Sequence, residues 1–302
     1  MKKRFYSNGK LLLSGEYAIL DGARGLAIPT SYGQSLQVGP TNSGLLEWKS
    51  YDENQSLWFT AVYKLESLEL VSTSDQGVAS LLQKLLRDAK TQNPLIMGEV
   101  DGLLMESDLS FPRTWGLGSS STLINNLAQW ARVDPYGLLW NSLGGSGYDI
   151  ACARHHRPIS YRLKAGRPEI REIDFNPPFR GSLYFVHLNQ KQSSKEAIAA
   201  YRNRVFDKES LVHEIDQITH KMVSAPTLSE FEILMERHEE ILSKILGIPP
   251  VKQQVFPDHP GAIKSLGAWG GDFILATGDQ GCRGYFEGKG YPTVIPYTRM
   301  IL

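Results

Sequence analysis

The chain has 302 residues, of which 32 are Lys or Arg and 32 Asp or Glu, so its formal charge is zero and nothing supplies the broad basic footprint of a nucleic-acid binder. Two cysteines, Cys152 and Cys282, are too few for a disulfide framework or a thiolate metal site and suit a reducing cytoplasm. The length has room for two modest domains or one large one, and no run approaches the roughly 20 apolar residues that a bilayer span requires.

In chain order, Lys2, Lys3 and Arg4 ahead of the leucines at 11–13 superficially suggest an export signal. Asn8, Gly9, Lys10, Ser14 and Glu16 interrupt any apolar core, so none is expected. The first third reads mostly as strands, over 10–14, 35–38, 45–51, 57–62 and 99–107. Between them lies one helix over 76–89, with Val78, Leu81, Leu82, Leu85 and Leu86 on one stripe. Next come helices over 120–131 and 135–143, the second opened by Asp134 as N-cap and Pro135 at its first position. Strand character returns over 159–163 and 183–188, and Asn176, Pro177 and Pro178 between them mark a candidate boundary. Two long helices follow. Leu211, Ile215, Ile218 and Met222 define one; Phe231, Leu234, Met235, Ile241, Leu242 and Ile245 define the other, which a capping box of Thr227 and Glu230 opens and Gly247 and Pro249 close. A turn over 267–271, a strand over 273–276 and a last strand over 293–297 complete an α+β pattern in two lobes.

The most informative run is Gly116, Leu117, Gly118, Ser119, Ser120, Ser121 and Thr122, which opens onto a helix with Leu123, Ile124, Leu127, Ala128 and Ala131 at helical spacing. Glycines let the backbone approach a ligand, and free amides and the positive dipole end then meet an anion together. A serine-capped helix after a tight turn would explain part of the run, but it carries more hydroxyls than a cap uses. Three further motifs stand apart from it. Lys10 begins an apolar strand that Gly15, Glu16 and Tyr17 end, which is either surface punctuation or a cation held beside a reacting hydroxyl. Gly144, Gly145, Ser146, Gly147, Tyr148 and Asp149 read either as a linker or as a glycine loop presenting an aspartate as general base. Lys264, Ser265, Leu266, Gly267, Ala268, Trp269, Gly270, Gly271 and Asp272 form another turn exposing amides before a strand.

Together the four motifs carry a resemblance. The order Gly-Lys-strand-Gly-Glu, Gly-Leu-Gly-Ser-Ser, Gly-Ser-x-x-Asp and Gly-Ala-x-Gly-Gly-Asp resembles the GHMP kinases, the superfamily of galactokinase, homoserine kinase, mevalonate kinase and phosphomevalonate kinase, from Ser7 to Phe273. Within it, the segment from Gly145 to Ala151 and the Gly270-Gly271-Asp272 ending are most similar to bacterial phosphomevalonate kinases, with Gly-Tyr-Asp-Ile-Ala marking a distinct subgroup. The resemblance implies an α+β, two-lobed GHMP kinase fold, with an N-terminal ribosomal-protein-S5-domain-2-like lobe over 1–178 that carries the ATP loop and a C-terminal ferredoxin-like lobe over 179–302. It implies transfer of the ATP γ-phosphoryl group to a small acceptor of the mevalonate pathway in isoprenoid biosynthesis, phosphomevalonate first, with ATP and Mg2+ as cofactors.

By the same resemblance, residues 116–122 cradle the triphosphate, Asp149 accepts or orients the acceptor proton, and Lys10 holds Asp149 and stabilises the transferring group. Glu16, Tyr17, Ser146, Gly147, Ser194, Gly267, Gly270, Gly271 and Asp272 are the expected acceptor side, with Lys191, Lys195 and Arg202 as further cations for a phosphorylated acceptor. Two departures stand out. The only acid over 123–148 is Asp134, already an N-cap, so Ser120 with the nucleotide phosphates and water is the expected Mg2+ site. Trp269 replaces a small residue usual in the last motif. Mevalonate kinase or another GHMP kinase, a catalytically silent nucleotide- or metabolite-binding regulator and a mevalonate diphosphate decarboxylase-like lyase remain alternatives, as does a homodimer; neither nucleic acid nor membrane is expected as a partner. His155 and His156 are adjacent and cannot share a helix face as metal ligands at i, i+4 do, so with Arg154 and Arg157 they read as a solvated turn. His213, His220 and His238 read as helix surface or core edge, and Cys152 as a small buried hydrophobe.

Overall fold

A computed structural model describes residues 2–98, 100–190, 194–269 and 271–302, the side chains of Ser194 and Lys195 excepted. Gly270, Lys191 and the side chains of Ser194 and Lys195, all expected near an acceptor, lie outside the described residues. No described helix is long and apolar enough to cross a membrane.

The chain divides into two compact units that interleave in sequence. The first takes residues up to Gly9, then Tyr32–Arg113 and Leu117–Arg154; the second takes Lys10–Ser31, Thr114–Gly116 and His155–Leu302. Strands β1 (Lys3–Ser14) and β2 (Gly25–Pro40) pair with each other, and each gives one part to each unit. Asn176, Pro177 and Pro178 fall inside the second unit.

In the first unit, β3 (Leu45–Tyr51), β4 (Leu57–Lys64), β5 (Leu70–Thr73) and β6 (Leu103–Leu109) join the later part of β2 in the order β5-β4-β3-β6-β2. All neighbours are antiparallel except β3 and β6, where Trp48 lies opposite Met105. A parallel pair needs a long crossover, and the chain supplies it through β4, β5 and helix α1 (Gln76–Gln92). Strand alternation sets the core face: Leu46, Trp48 and Ser50 on β3 and Leu103, Met105, Ser107 and Leu109 on β6 are buried. Ser50 Oγ accepts from Trp48 Nε1 and from Ser107 Oγ, both at 2.9 Å, so the polar groups turned inward are satisfied. Helix α1 starts where Asp75 accepts from the Val78 amide and buries Ala79, Leu82, Leu85, Leu86 and Ala89. Helices α2 (Ser119–Ala131), α3 (Pro135–Ser142) and α4 (Tyr148–Arg154) complete the unit. Asp134 caps α3 on the Tyr136 and Gly137 amides, with Pro135 in the first turn.

In the second unit, β7 (Ile159–Lys164) pairs with residues 25–27 of β2 and with β8 (Arg167–Glu172). Ala165 and Gly166, both at positive φ, make the tight hairpin turn that the right-handed twist of strands favours. A separate antiparallel sheet has the order β10 (Ile263–Ser265), β11 (Phe273–Thr277), β9 (Leu183–His187), β12 (Val294–Pro296). Both β9 and β11 are buried along their whole length. Tyr184, Val186, Ile274 and Ala276 pack with Val251, Phe256 and Phe286 in one cluster. Helices α5 (Ser194–Arg202), α6 (Lys208–Ser224), α7 (Leu228–Leu246), α8 (Val251–Val255), α9 (Cys282–Gly288) and α10 (Tyr297–Met300) belong to this unit. Thr227 caps α7 on the Glu230 amide and Gly247 ends it at φ 66°.

Three local expectations need correction. The strand expected over 99–107 runs over Leu103–Leu109, set by its register with Gln34 to Pro40. The strand expected over 293–297 stops at Pro296, and Tyr297 opens α10 instead. Asp149 does not sit on the glycine loop but in the first turn of α4, which Gly147 at φ 87° starts.

Candidate active site

In the first unit the serine run forms the N-terminus of α2. Gly118, at φ 87°, is the N-cap and no side chain caps the helix, so the first-turn amides are left for another acceptor. Hydroxyls of the run divide by direction. Ser120 is exposed and Ser119 half-buried, while Ser121 and Thr122 point inward. Ser121 Oγ donates to Asp149 Oδ2 at 3.2 Å, which ties the first turn of α2 to the first turn of α4. Thr122 Oγ1 donates to Gln34 Oε1 at 2.6 Å.

What fixes α2 is polar as much as apolar. Asn125 Nδ2 donates to Ser7 Oγ, Ser7 Oγ donates to Asn126 Oδ1, both at 2.8 Å, and Asn126 Nδ2 donates to the Gln34 carbonyl at 2.9 Å. All four residues are buried. A satisfied network of this kind has one geometry, so it holds the serine turn in register with β1 and β2. Sequence periodicity places only Leu123, Ile124, Leu127, Ala128 and Ala131 on the inner face and misses the two asparagines; their side-by-side position one turn after the serines is the available signal. Ser146 and Gly147 are buried at the start of α4, and Cys152 is wholly buried on it.

In the second unit, Lys10 lines a small recess with Trp115, Gly116, Leu266, Gly267, Asp272 and Phe273. Trp115 meets the Phe273 ring edge-on at 5.5 Å. Asp272 is held at φ 50°, its amide donating to the Gln190 carbonyl at 3.0 Å and its carbonyl accepting from the Leu188 amide at 2.8 Å. Gly116, at φ 64°, lies so close that a Cβ there would overlap the Asp272 carboxylate. Gly116→Ala is therefore expected to lower stability by about 2 kcal/mol or more, from left-handed backbone strain plus overlap. Thermal unfolding checks this; an unchanged melting temperature would remove the close approach from the argument.

Glu16 and Tyr17, expected on the acceptor side, are both buried. Glu16 Oε1 accepts from Lys264 Nζ at 2.6 Å, and both side chains are almost without exposure. Tyr17, at φ 59°, accepts at its hydroxyl from the Trp269 amide at 3.0 Å. Around the ion pair stand His238 and Glu239 of α7. His238 Nε2 accepts from the Gly15 amide at 3.1 Å and lies 3.2 Å from Glu16 Oε2; Ser265 Oγ donates to Glu239 Oε2 at 3.1 Å. Because Nε2 is the acceptor, the ring is neutral there and its contact with Glu16 is not an ion pair. Burial, then the Lys264 charge, hold His238 well below its ordinary pKa. Burial raises Glu16 against the opposing pull of Lys264, and pushes Glu239 up to about 8. Burial thus favours the neutral forms of His238 and Glu239 beside the Glu16–Lys264 contact.

His238 is the buried hub of this cluster, not helix surface or core edge. It falls on the stripe of Phe231, Met235 and Leu242, and that register is the signal that would have found it. The folded state keeps a proton on Glu239 that the unfolded chain releases above 4.5. Its contribution is therefore fully present below that value, is lost as the pH rises to about 8, and is flat beyond. Glu239→Gln should melt above wild type at alkaline pH, with the gap widening between pH 4.5 and about 8. Parallel melting profiles for the two proteins would refute it.

Among the described residues no group of three or more His, Cys, Asp or Glu could hold a metal ion. The exposed Ser120 hydroxyl and the uncapped α2 terminus fit a cation that arrives with phosphates and keeps most of its water.

No protein-family model matches the chain, and no curated protein does. Its fold has clear counterparts. The mevalonate kinase of Methanococcus jannaschii superposes with a TM-score of 0.72 at 14% identity, over 97% of this chain and 96% of that one. The phosphomevalonate kinase of Streptococcus pneumoniae, in complex with phosphomevalonate and AMPPNP, gives 0.69 at 16%, over 95% of each. Lactococcus lactis galactokinase, complexed with galactose, gives 0.66 at 14%, over 98% and 94%. The chain therefore has the α+β fold of the GHMP kinases.

Proposed function

We propose that the protein is an ATP-dependent kinase of a small hydroxylated acceptor, with phosphomevalonate the first candidate. The observation that carries this is the glycine-opened, uncapped N-terminus of α2 with Ser121 bonded to Asp149. Phosphoryl transfer asks for positioned donors and charge neutralisation more than for covalent chemistry. Amides and hydroxyls of residues 116–122 bind the triphosphate. Asp149 accepts or orients the acceptor's proton as the attacking oxygen, a phosphate oxygen in phosphomevalonate or a hydroxyl in an unphosphorylated acceptor, bonds to the γ-phosphorus and the bond to the β–γ bridging oxygen breaks, releasing ADP. Lys10 neutralises charge on the transferring group, and Ser146, Gly147, Gly267, Gly271 and Asp272 shape the acceptor side, together with Ser194 and Gly270. Mg2+, bound through the nucleotide phosphates, Ser120 and water, would supply further charge neutralisation. Two free, buried cysteines suit a cytoplasmic protein.

The test is ADP release with ATP and Mg2+ against phosphomevalonate, mevalonate, homoserine, galactose and heptose phosphates. Acceptor-dependent ADP release with phosphomevalonate is the expected result. Release with another member alone would reassign the acceptor. Nucleotide binding without transfer to any of them would overturn the kinase reading in favour of a regulator.

A further inference from the structure

A cleft of about 430 Å³ in the second unit shares no lining residue with the recess at Lys10 and takes no part in the function proposed above. Its volume falls in the range that small organic ligands fill. Phe175 and Tyr297 form a rigid aromatic side. Tyr297 donates its hydroxyl to the Phe175 carbonyl at 3.1 Å and stacks on Phe185 with ring centres 6.2 Å apart. Pro158, Ile173 and Ile301, all half-buried, add apolar wall. Ile301 is itself anchored, by an antiparallel bridge to Thr30 and by Ser31 Oγ donating to the neighbouring Arg299 carbonyl at 2.6 Å.

The same cleft is lined by Arg157 and Arg180. Neither guanidinium makes an ion pair or a side-chain hydrogen bond among the described residues. Asp174 is the one acidic side chain that lines it. Two guanidinium forks beside an apolar wall are chemistry for an amphiphilic anion: arginine binds carboxylate and phosphate through paired N–H groups, which a lysine pair would not match.

We infer that this cleft binds a small organic anion, its phosphate or carboxylate head on Arg157 and Arg180 and its apolar body against Phe175, Pro158 and Ile301. Asp174 accepts from a hydroxyl or amine of the same ligand. Arg157, the last residue of the Arg154-His155-His156-Arg157 turn, is then a ligand contact.

Phenyl phosphate, one phosphate on one ring, is the probe, titrated calorimetrically with a non-hydrolysable ATP analogue at saturation. One site is expected, tighter than for inorganic phosphate. Arg157→Ala with Arg180→Ala should weaken it about tenfold or more, as two charge-assisted contacts are lost. Ile301→Asp, which leaves both arginines in place, should weaken it too. Melting temperatures close to wild type would show that the variants remain folded. Absence of binding, displacement by the ATP analogue, equal affinity for inorganic phosphate, or indifference to the double substitution would each overturn the inference.

Discussion

Asp149→Asn is expected to leave nucleotide affinity close to wild type while lowering the rate of phosphoryl transfer by about 10²–10⁴-fold, the range for losing a positioned general base. Asparagine keeps the size of the side chain and an oxygen that can still accept from Ser121 Oγ, the 3.2 Å bond between α2 and α4. What it loses is the ability to take a proton. A split between binding and turnover is therefore the signature, read from single-turnover transfer and nucleotide titration on the same preparation. Transfer within a few-fold of wild type would remove Asp149 from the chemistry. An equal loss of nucleotide affinity would make it a structural partner of the serine turn instead.

Lys264→Met carries the largest expected effect on stability. Lys264 and Glu16 are enclosed, and removing the cation leaves a carboxylate with no compensating charge in the interior. Breaking a buried pair in this way costs about 3–5 kcal/mol, a large fraction of the stability of an ordinary domain. Adding Glu16→Gln should recover most of it, because a neutral pair of similar volume escapes the desolvation cost. Denaturant unfolding of the single and double variants checks both statements. A double variant no more stable than the single one would mean that the lysine acts through packing rather than charge.

Much of this was legible from the residues. Asp134 and Thr227 cap the helices their sequence patterns specify, because a cap needs only a side chain and an amide two or three residues on. The serine run opens a helix as its glycines require. Less legible were features whose partners are remote. Asn125 and Asn126 look like surface residues until Ser7 and Gln34 are brought beside them. Lys264 looks like punctuation in the run Ile263, Lys264, Ser265 until Glu16 meets it, and Glu239 looks like a solvated helix residue until its carboxyl is enclosed. The division into units is illegible for a related reason: the second unit recruits Lys10–Ser31 from the start of the chain, and no composition shift marks that exchange.

The Glu16–Lys264 pair spans 248 residues of chain. On a ribosome adding roughly 5–20 residues per second, Glu16 is made some 12–50 seconds before its partner. During that interval the second unit lacks the cation that its interior requires, and contacts this distant in sequence are slow to close. The nascent chain therefore carries the segment that follows β1 through most of synthesis with one of its buried charges unmatched. Completion of this core is a late event, tied to the emergence of β10.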